Sequence, residues 1–209
     1  MTPVPPVLAT IAGAVLGGLA GWGVHRNLAT LAYRRVSERH RPPPRHHQAI
    51  PALLAVGGGV LAHQAATGHG PQALLALPVL LLGAWLAAVD ADVQRLPFRP
   101  VIALTALETA AIAAAALTTQ NPAVAVNGAV GGVLTYLGFR IFHHATNAGI
   151  GYGDVTLAAA VGAATAAAGE LPHTWWWLLG TLTAAALYRL LTRQRGHRPL
   201  GPWLILGAL

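Results

Sequence analysis

The chain has 209 residues, of which 55% are hydrophobic and only 9% are charged. Soluble proteins carry roughly 25% charged residues, so this composition excludes an ordinary soluble domain, and the high apolar content excludes a disordered chain. The formal net charge is +7, from 13 basic residues, all of them arginine, against 6 acidic residues. The absence of cysteine excludes disulfides, thiolate zinc sites, cysteine nucleophiles and iron–sulfur clusters.

Seven apolar stretches follow one another along the chain and predict an all-α, polytopic transmembrane helix bundle with a short C-terminal hydrophobic segment. They cover residues 7–24, 49–66, 72–89, 101–117, 123–142, 155–168 and 175–191. Alanine and leucine, which favour helices, dominate these stretches, and the period-two alternation of strands is absent. Most approach the ~20 residues that a helix needs to cross the hydrocarbon layer, whereas the second and sixth are short. We therefore expect a single integral membrane domain over residues 1–209.

Arginines occupy every second connection between the predicted spans. The first such connection, residues 25–48, is rich in arginine and proline, and others follow the third, fifth and seventh spans. The positive-inside rule then predicts a multi-pass protein of the cell membrane with its N-terminus outside and its arginine-bearing connections in the cytoplasm. Topology and attraction to anionic membrane lipid thus account for the basic charge, and no nucleic-acid partner is expected.

The glycines of the first span and the paired histidines can be interpreted without assigning them a chemical function. Gly13, Gly17 and Gly21 recur at four-residue spacing in the first span, which predicts close packing against another helix. Two pairs of adjacent histidines occur, at positions 46–47 and 143–144, and the sequence near them offers no third residue that could bind a metal. We therefore expect no metal site.

Two acidic residues lie at the ends of predicted spans on the arginine-bearing side. Asp90 ends the third span in the segment AAVDADVQRLP, and Asp154 opens the sixth in GIGYGDV. Two carboxylates at one depth on different helices can meet in a bundle, and an ionisable group at this position is a functional candidate because it is costly to desolvate. The simpler alternative for Asp154 is an N-cap role. The glycines that precede Asp154 leave the backbone accessible to a peptide, and Pro97 begins the next helix.

At these residues the chain resembles the type IV prepilin peptidases, or leader peptidases, which are membrane aspartic proteases of the Gly-x-Gly-Asp group. That family pairs an Asp seven positions before a Pro, here Asp90 and Pro97, with the Asp of a Gly-x-Gly-Asp motif, here Asp154. The segment GDVTLAAAVG and the ending RPLGPWLILGAL are also similar to segments of the family. The resemblance covers residues 80–209, which form the peptidase-like region. Because the cysteine pairs of the longer, methyltransferase-associated members are absent, the chain resembles the short form.

The resemblance implies an aspartic endopeptidase that cleaves the basic leader of type IV pilin-like precursors at the cytoplasmic membrane face. Asp90 and Asp154 would be its catalytic residues, activating water without a cofactor. The implied site also contains three shaping residues and three candidate substrate contacts: Gly151, Gly153 and Pro97, and Asp92, Tyr152 and Thr156. The implied partners are the pilin-like precursor and membrane lipid, and the sequence assigns no oligomeric state.

Three alternatives stay open. The chain could be a non-enzymatic polytopic protein, a small transporter or assembly scaffold, whose functional group would be Glu108, about 12 Å into the fourth span by helical rise. It could also be a catalytically weakened family member, because Thr156 stands where the family usually has Lys. Asp92 competes with Asp90, but the two point about 200° apart on a helix. The spacing to Pro97 favours Asp90, which leaves Asp92 to solvate the helix end or to contact substrate.

Overall fold

A computed structural model describes residues 4–145, 151–169, 171–191 and 201–206, and all regular structure in these ranges is helical. The all-α prediction is therefore confirmed. The helices are α1 (Pro6–Ala29), α2 (Ile50–Ala66), α3 (Gly70–Pro78), α4 (Ala84–Val93), α5 (Phe98–Thr119), α6 (Pro122–Ala145), α7 (Tyr152–Ala168), α8 (Leu171–Leu191) and α9 (Gly201–Leu206). A π-helical turn, Val79–Gly83, joins α3 to α4, and short 3-10 turns at Val36–Glu38 and Arg45–Ala49 lie between α1 and α2.

Five helical segments are long and apolar enough to cross a membrane, and they correspond to the first five predicted spans. They are Pro6–Ala29, Arg45–Ala66, Gly70–Val93, Phe98–Thr119 and Pro122–Ala145. The expected sixth and seventh spans form α7, which has 17 residues, and α8, and neither is among the five. Within the described residues the count of about seven spans is not confirmed. The three arginines that follow α8 (Arg193, Arg195 and Arg198) lie outside the described residues.

The glycines of α1 form the face that packs on α2. A Cβ atom on Gly17 would overlap the carbonyl oxygen of Leu54, and one on Gly21 would lie 2.7 Å from Cα of Pro51. Gly13 is equally close to the backbone of Gly58. The predicted close packing is therefore confirmed. The rest of α1 exposes large apolar side chains, as a helix that contacts lipid does: Val7, Leu8, Ile11, Val15 and Leu19.

The main core lies between α4, α5, α7 and the short α9. Leu86 of α4, Leu104 of α5 and Leu157 of α7 are fully buried in it. Leu204 and Ile205 of α9 join the same cluster, with 0% and 2% of their surface exposed. The six described residues of α9 are therefore an integral part of the core.

The segments that connect the helices lie at two opposite ends of the bundle. One guanidinium nitrogen of Arg95, after α4, donates to the carbonyl oxygen of Tyr33 and to Glu38, both in the connection after α1. Gly153, at the start of α7, packs against Leu96 at the same end, which we call the arginine end. At the opposite end the arginine-free connections line a common cavity through residues that include Gln72, Asn121 and Gly169. These described connections thus lie at different ends of the bundle, and their orientation across a membrane stays a prediction.

Candidate active site

Asp90 occupies the last turn of α4 and is 3% exposed. The helix ends at Gln94, which adopts a left-handed conformation (φ 53°) and donates its N–H to the carbonyl oxygen of Asp90 (2.8 Å). Pro97 then takes the N-cap position of α5. The seven-residue spacing between Asp90 and Pro97 therefore corresponds to one helix end, one tight turn and the start of the next helix. This turn keeps Asp90 inside the bundle, where its carboxyl Oδ2 accepts the backbone N–H of Gly201 (3.0 Å).

Asp154 lies in the first turn of α7. Gly151, with an extended backbone (φ −66°, ψ 147°), is the N-cap, and the N–H of Asp154 donates to its carbonyl oxygen (3.0 Å). The N-cap role considered for Asp154 is therefore wrong, because Gly151 occupies that position and no side chain caps the helix. The Asp154 Oδ1 atom is buried and has no hydrogen-bond partner among the described residues.

The two acids lie at the same end of the bundle although 64 positions separate them. The charge of Asp154 acts on the Asp90 carboxyl group through space. The contact between Gly153 and Leu96 explains this arrangement, since a Cβ atom on Gly153 would lie only 2.7 Å from Cβ of Leu96. A glycine at this position lets the start of α7 press against the turn that follows Asp90. Two carboxyl groups, one from α4 and one from α7, therefore lie at the same end of the bundle.

Asp92 faces away from this pair and toward the connection after α1. Its Oδ2 atom accepts hydrogen bonds from the Tyr33 hydroxyl (2.6 Å) and from Nε of Arg34 (2.7 Å), and its Oδ1 atom accepts a third from Arg34 (2.8 Å). The expectation that Asp92 solvates the helix end is therefore wrong, because its carboxylate forms a buried ion pair with Arg34. The alternative role of Asp92 as a substrate contact stays a prediction. Burial, followed by the hydrogen bond to Asp92, raises the pKa of Tyr33, so the phenol remains a donor even in mildly alkaline solution.

The remaining candidate residues surround the start of α7. Tyr152 is 43% exposed, its hydroxyl lies 3.3 Å from that of Tyr136, and the guanidinium of Arg140 lies 5.4 Å from its ring centroid. The Thr156 hydroxyl donates to the carbonyl oxygen of Gly153 (2.9 Å), within its own helix. A Cβ atom on Gly151 would lie 3.3 Å from Oδ2 of Asp154, so this glycine borders the carboxyl group directly.

Glu108 stands apart from the pair. It lies ten residues into α5, about 15 Å from the helix start by helical rise, and is 1% exposed. Its carboxyl group lies beside the backbone of Val79 in the π-helical turn, and neither oxygen completes a hydrogen bond among the described residues. Elsewhere in the described chain, no three His, Asp or Glu side chains come together as metal ligands would.

Sequence reasoning missed three residues of this region. Gly201 belongs to the ending RPLGPWLILGAL, which we quoted only as part of the resemblance and to which we gave no role. Tyr33 and Arg34 belong to the connection over residues 25–48, whose arginines we interpreted through topology alone. The opposite charges of Arg34 and Asp92 were visible, but a separation of 58 positions gave no signal that they pair.

Apolar helices of membrane-crossing length and two acids at one end of the bundle indicate a multi-pass membrane protein with a candidate acid–base site. The model of the type IV leader peptidase family matches residues 75–192, more than half of the chain, and the chain belongs to this family. The match includes Asp90 and Asp154 and ends before Gly201. Comparisons with curated proteins and with solved structures found no match. Family membership indicates a leader peptidase-like protease that acts on pilin-like precursors in general.

Proposed function

We propose that the chain is an aspartic endopeptidase that removes the basic leader of type IV pilin-like precursors, with Asp90 and Asp154 as its dyad. The observation that carries this proposal is the packing of Gly153 on Leu96, which places the start of α7, with Asp154, against the turn that follows Asp90 at the arginine end of the bundle. Family membership supports the peptidase class. The positive-inside rule supports a cytoplasmic orientation for this end, and hence cleavage at the inner membrane face.

Two neighbouring carboxyl groups can divide the work of hydrolysis between them. They cannot both ionise cheaply, so they share a proton. The ionised group takes a proton from a water molecule as that water attacks the scissile carbonyl carbon, and the protonated group donates its proton to the carbonyl oxygen. Collapse of the tetrahedral intermediate then breaks the C–N bond, and a proton passes to the leaving amine. The dyad titrates as a unit, and no covalent intermediate forms.

Pairing distinguishes these two acids from their neighbour Asp92. Among the described residues, Asp92 forms an ion pair with Arg34, whereas neither Asp90 nor Asp154 forms one. An arginine held on both oxygens fixes a carboxylate in its ionised form and occupies its acceptor positions. Acids that must exchange protons with water and substrate need to be free of such a partner. The distribution of ion pairs thus favours Asp90 and Asp154 over Asp92 as the reacting groups.

The charge of the arginine end bears on the substrate, because a basic leader would be repelled by unpaired arginines. Two arginines that lie near the dyad in the chain are paired: Arg34 with Asp92 and Arg95 with Glu38. This pairing lowers the local positive charge where the leader has to approach. The hydrophobic helix of a pilin-like precursor can remain in the membrane while its leader junction reaches the acids at the boundary.

Three single substitutions test the proposal. The chain, or its Asp90→Asn, Asp154→Asn or Glu108→Gln variant, is co-expressed with a type IV pilin precursor, and leader removal is followed by the shift in precursor mobility. The amount of each variant in the membrane fraction is measured by an epitope tag. We expect both Asn variants to lose cleavage at normal protein levels, because each lacks one half of the dyad. Glu108→Gln is the matched control, since it removes a buried acid from the same bundle without touching the dyad, and it should cleave normally.

The opposite result would support the non-enzymatic alternative. Cleavage that survives in both Asn variants removes the dyad from the mechanism. Loss of cleavage only in Glu108→Gln would move the functional group to α5, the position on which the transporter hypothesis depends.

A further inference from the structure

The short helix α9 contacts the helices that carry both acids. It packs against α4, which bears Asp90, and against α7, which bears Asp154. Its first residue, Gly201, is buried and donates its backbone N–H to Oδ2 of Asp90 at 3.0 Å, across 111 positions of sequence. The first residue of α9 thus contacts one acid of the dyad directly.

Glycine is the residue that this contact requires. A Cβ atom at position 201 would lie 2.8 Å from Oδ2 of Asp90 and 3.4 Å from its Cβ and Cγ atoms. Non-bonded carbon and oxygen atoms do not approach so closely without displacement, so either the carboxyl group or α9 would have to move. The Asp90 carboxyl group can therefore keep its observed position only if residue 201 has no side chain.

The core holds α9 firmly in this place. Leu204 and Ile205 are buried in the same cluster as Val155 of α7 and Leu86 of α4. A Cβ atom on Gly83, in the π-helical turn, would lie 3.2 Å from Cγ2 of Ile205, so α9 and this turn are in close contact. The N–H of Gly201 is therefore carried on an anchored element rather than on a free end.

We propose that Gly201 is a positioning residue for Asp90. Its N–H holds one oxygen of the carboxyl group and so fixes the direction in which the group faces Asp154 and the attacking water. The inference rests on the proposed function of the dyad and assigns part of the site to α9. A backbone amide neither accepts nor releases a proton during turnover, so Gly201 acts through Asp90 alone. It should therefore affect the rate of the chemical step and leave substrate binding unchanged.

The test measures kcat and KM separately. The purified full chain in lipid-containing detergent micelles cleaves a purified pilin precursor that has a short basic leader and a hydrophobic helix. For Gly201→Ala we expect kcat to fall at least about tenfold, because the carboxyl group is displaced from its reactive position, and KM to stay within about twofold of the wild-type value. Gly138→Ala is the matched control, since nothing lies within 4 Å of a Cβ atom at that helical glycine. It should leave both constants unchanged.

A second variant keeps the inference falsifiable if Gly201→Ala does not accumulate in the membrane. Ile205→Ala adds no atom near Asp90 and only loosens the anchor of α9, so it should lower kcat at unchanged KM. Wild-type kcat in Ile205→Ala and in any folded Gly201→Ala overturns the inference, and so does a rise in KM at unchanged kcat.

The Asp90→Asn variant separates this inference from the proposed function. If the wild type cleaves, Asp90→Asn does not, and Gly201→Ala cleaves at the wild-type kcat, the dyad stands and the positioning role of Gly201 falls. If Asp90→Asn cleaves as fast as the wild type, the proposed function fails, and this inference fails with it.

Discussion

The guanidinium group of Arg34 holds both carboxylate oxygens of Asp92, with Nε 2.7 Å from Oδ2 and Nη2 2.8 Å from Oδ1. Its remaining donors reach the carbonyl oxygens of Arg41 (2.7 Å) and Pro42 (3.0 Å). Arg34 is only 3% exposed. Arg34 therefore links two parts of the connection over residues 25–48 to each other. It also binds this connection to α4 at Asp92, two residues after Asp90.

Loss of this ion pair should destabilise the protein. Arg34→Ala leaves the Asp92 carboxylate buried without its cation, and breaking a buried pair in this way costs about 3 kcal/mol of unfolding free energy. Arg34→Lys should recover only part of the loss, because an ammonium group cannot reproduce the two-pronged contact. The thermal unfolding midpoint in detergent measures the effect. Arg39→Ala, an exposed arginine of the same connection, serves as the control. A midpoint equal to that of Arg39→Ala would contradict a stabilising role for the pair.

The packing of α1 on α2 predicts different results for two glycines of one helix. Gly17→Ala would drive a methyl group into the carbonyl group of Leu54, whereas a Cβ atom on Gly23 meets nothing within 4 Å. We expect Gly17→Ala to lower the unfolding free energy by about 1–3 kcal/mol, as overpacking does. Gly23→Ala should leave it unchanged or raise it slightly, because alanine favours a helix. Equal midpoints for the two variants in a thermal unfolding experiment would show that α1 and α2 are not in close contact.

The contact between Gly153 and Leu96 predicts a loss of activity without a change of charge. Gly153→Ala would push the start of α7 away from the turn after α4 and so increase the separation of the two acids. Because a displacement of about 1 Å can reduce a catalysed rate roughly 100-fold, we expect a comparable fall in precursor cleavage. Gly180→Ala, at a glycine of α8 with open space around it, is the control. Wild-type cleavage by Gly153→Ala would mean that this contact does not hold the dyad together.

Thr156 should be dispensable for cleavage. Its hydroxyl group donates to the carbonyl oxygens of Gly153 and Tyr152 in its own helix (2.9 and 3.2 Å), which engages it away from substrate. Such local bonds contribute little to helix stability, so Thr156→Ala should retain cleavage within about threefold of the wild type. The co-expression assay measures this. Abolished cleavage would instead make Thr156 a substrate contact, and a large gain in Thr156→Lys would favour the catalytically weakened alternative.

Local sequence patterns predicted the helices and much of their packing. The glycine spacing of α1 is a property of one helix face, so the close approach to α2 could be inferred from Gly13, Gly17 and Gly21 alone. The positions of Asp90 and Asp154 at helix ends also followed from hydropathy. By contrast, Gly201 contacts Asp90 through its backbone N–H. A pattern of side chains in the sequence cannot predict a backbone donor that lies 111 positions away.

Other features could not be predicted because they depend on competing tertiary contacts. Asp92 carried the same local signal as Asp90, since both lie at the end of a span, and only the position of Arg34 in space separates their roles. The count of spans was uncertain for a related reason. Nine of the 17 residues of α7 are buried, and hydropathy alone does not distinguish a buried core helix from a span exposed to lipid.

The π-helical turn at Val79–Gly83 gives the helix backbone a part in orienting Asp90. A π turn contains about one residue more than an α turn, and one residue corresponds to a rotation of about 100° around the helix axis. If the same residues formed a regular α-helix from α3 to α4, Asp90 would be rotated by about this angle from its present position beside Gly201. The register of the acid therefore depends on a backbone irregularity that lies outside the motif around it.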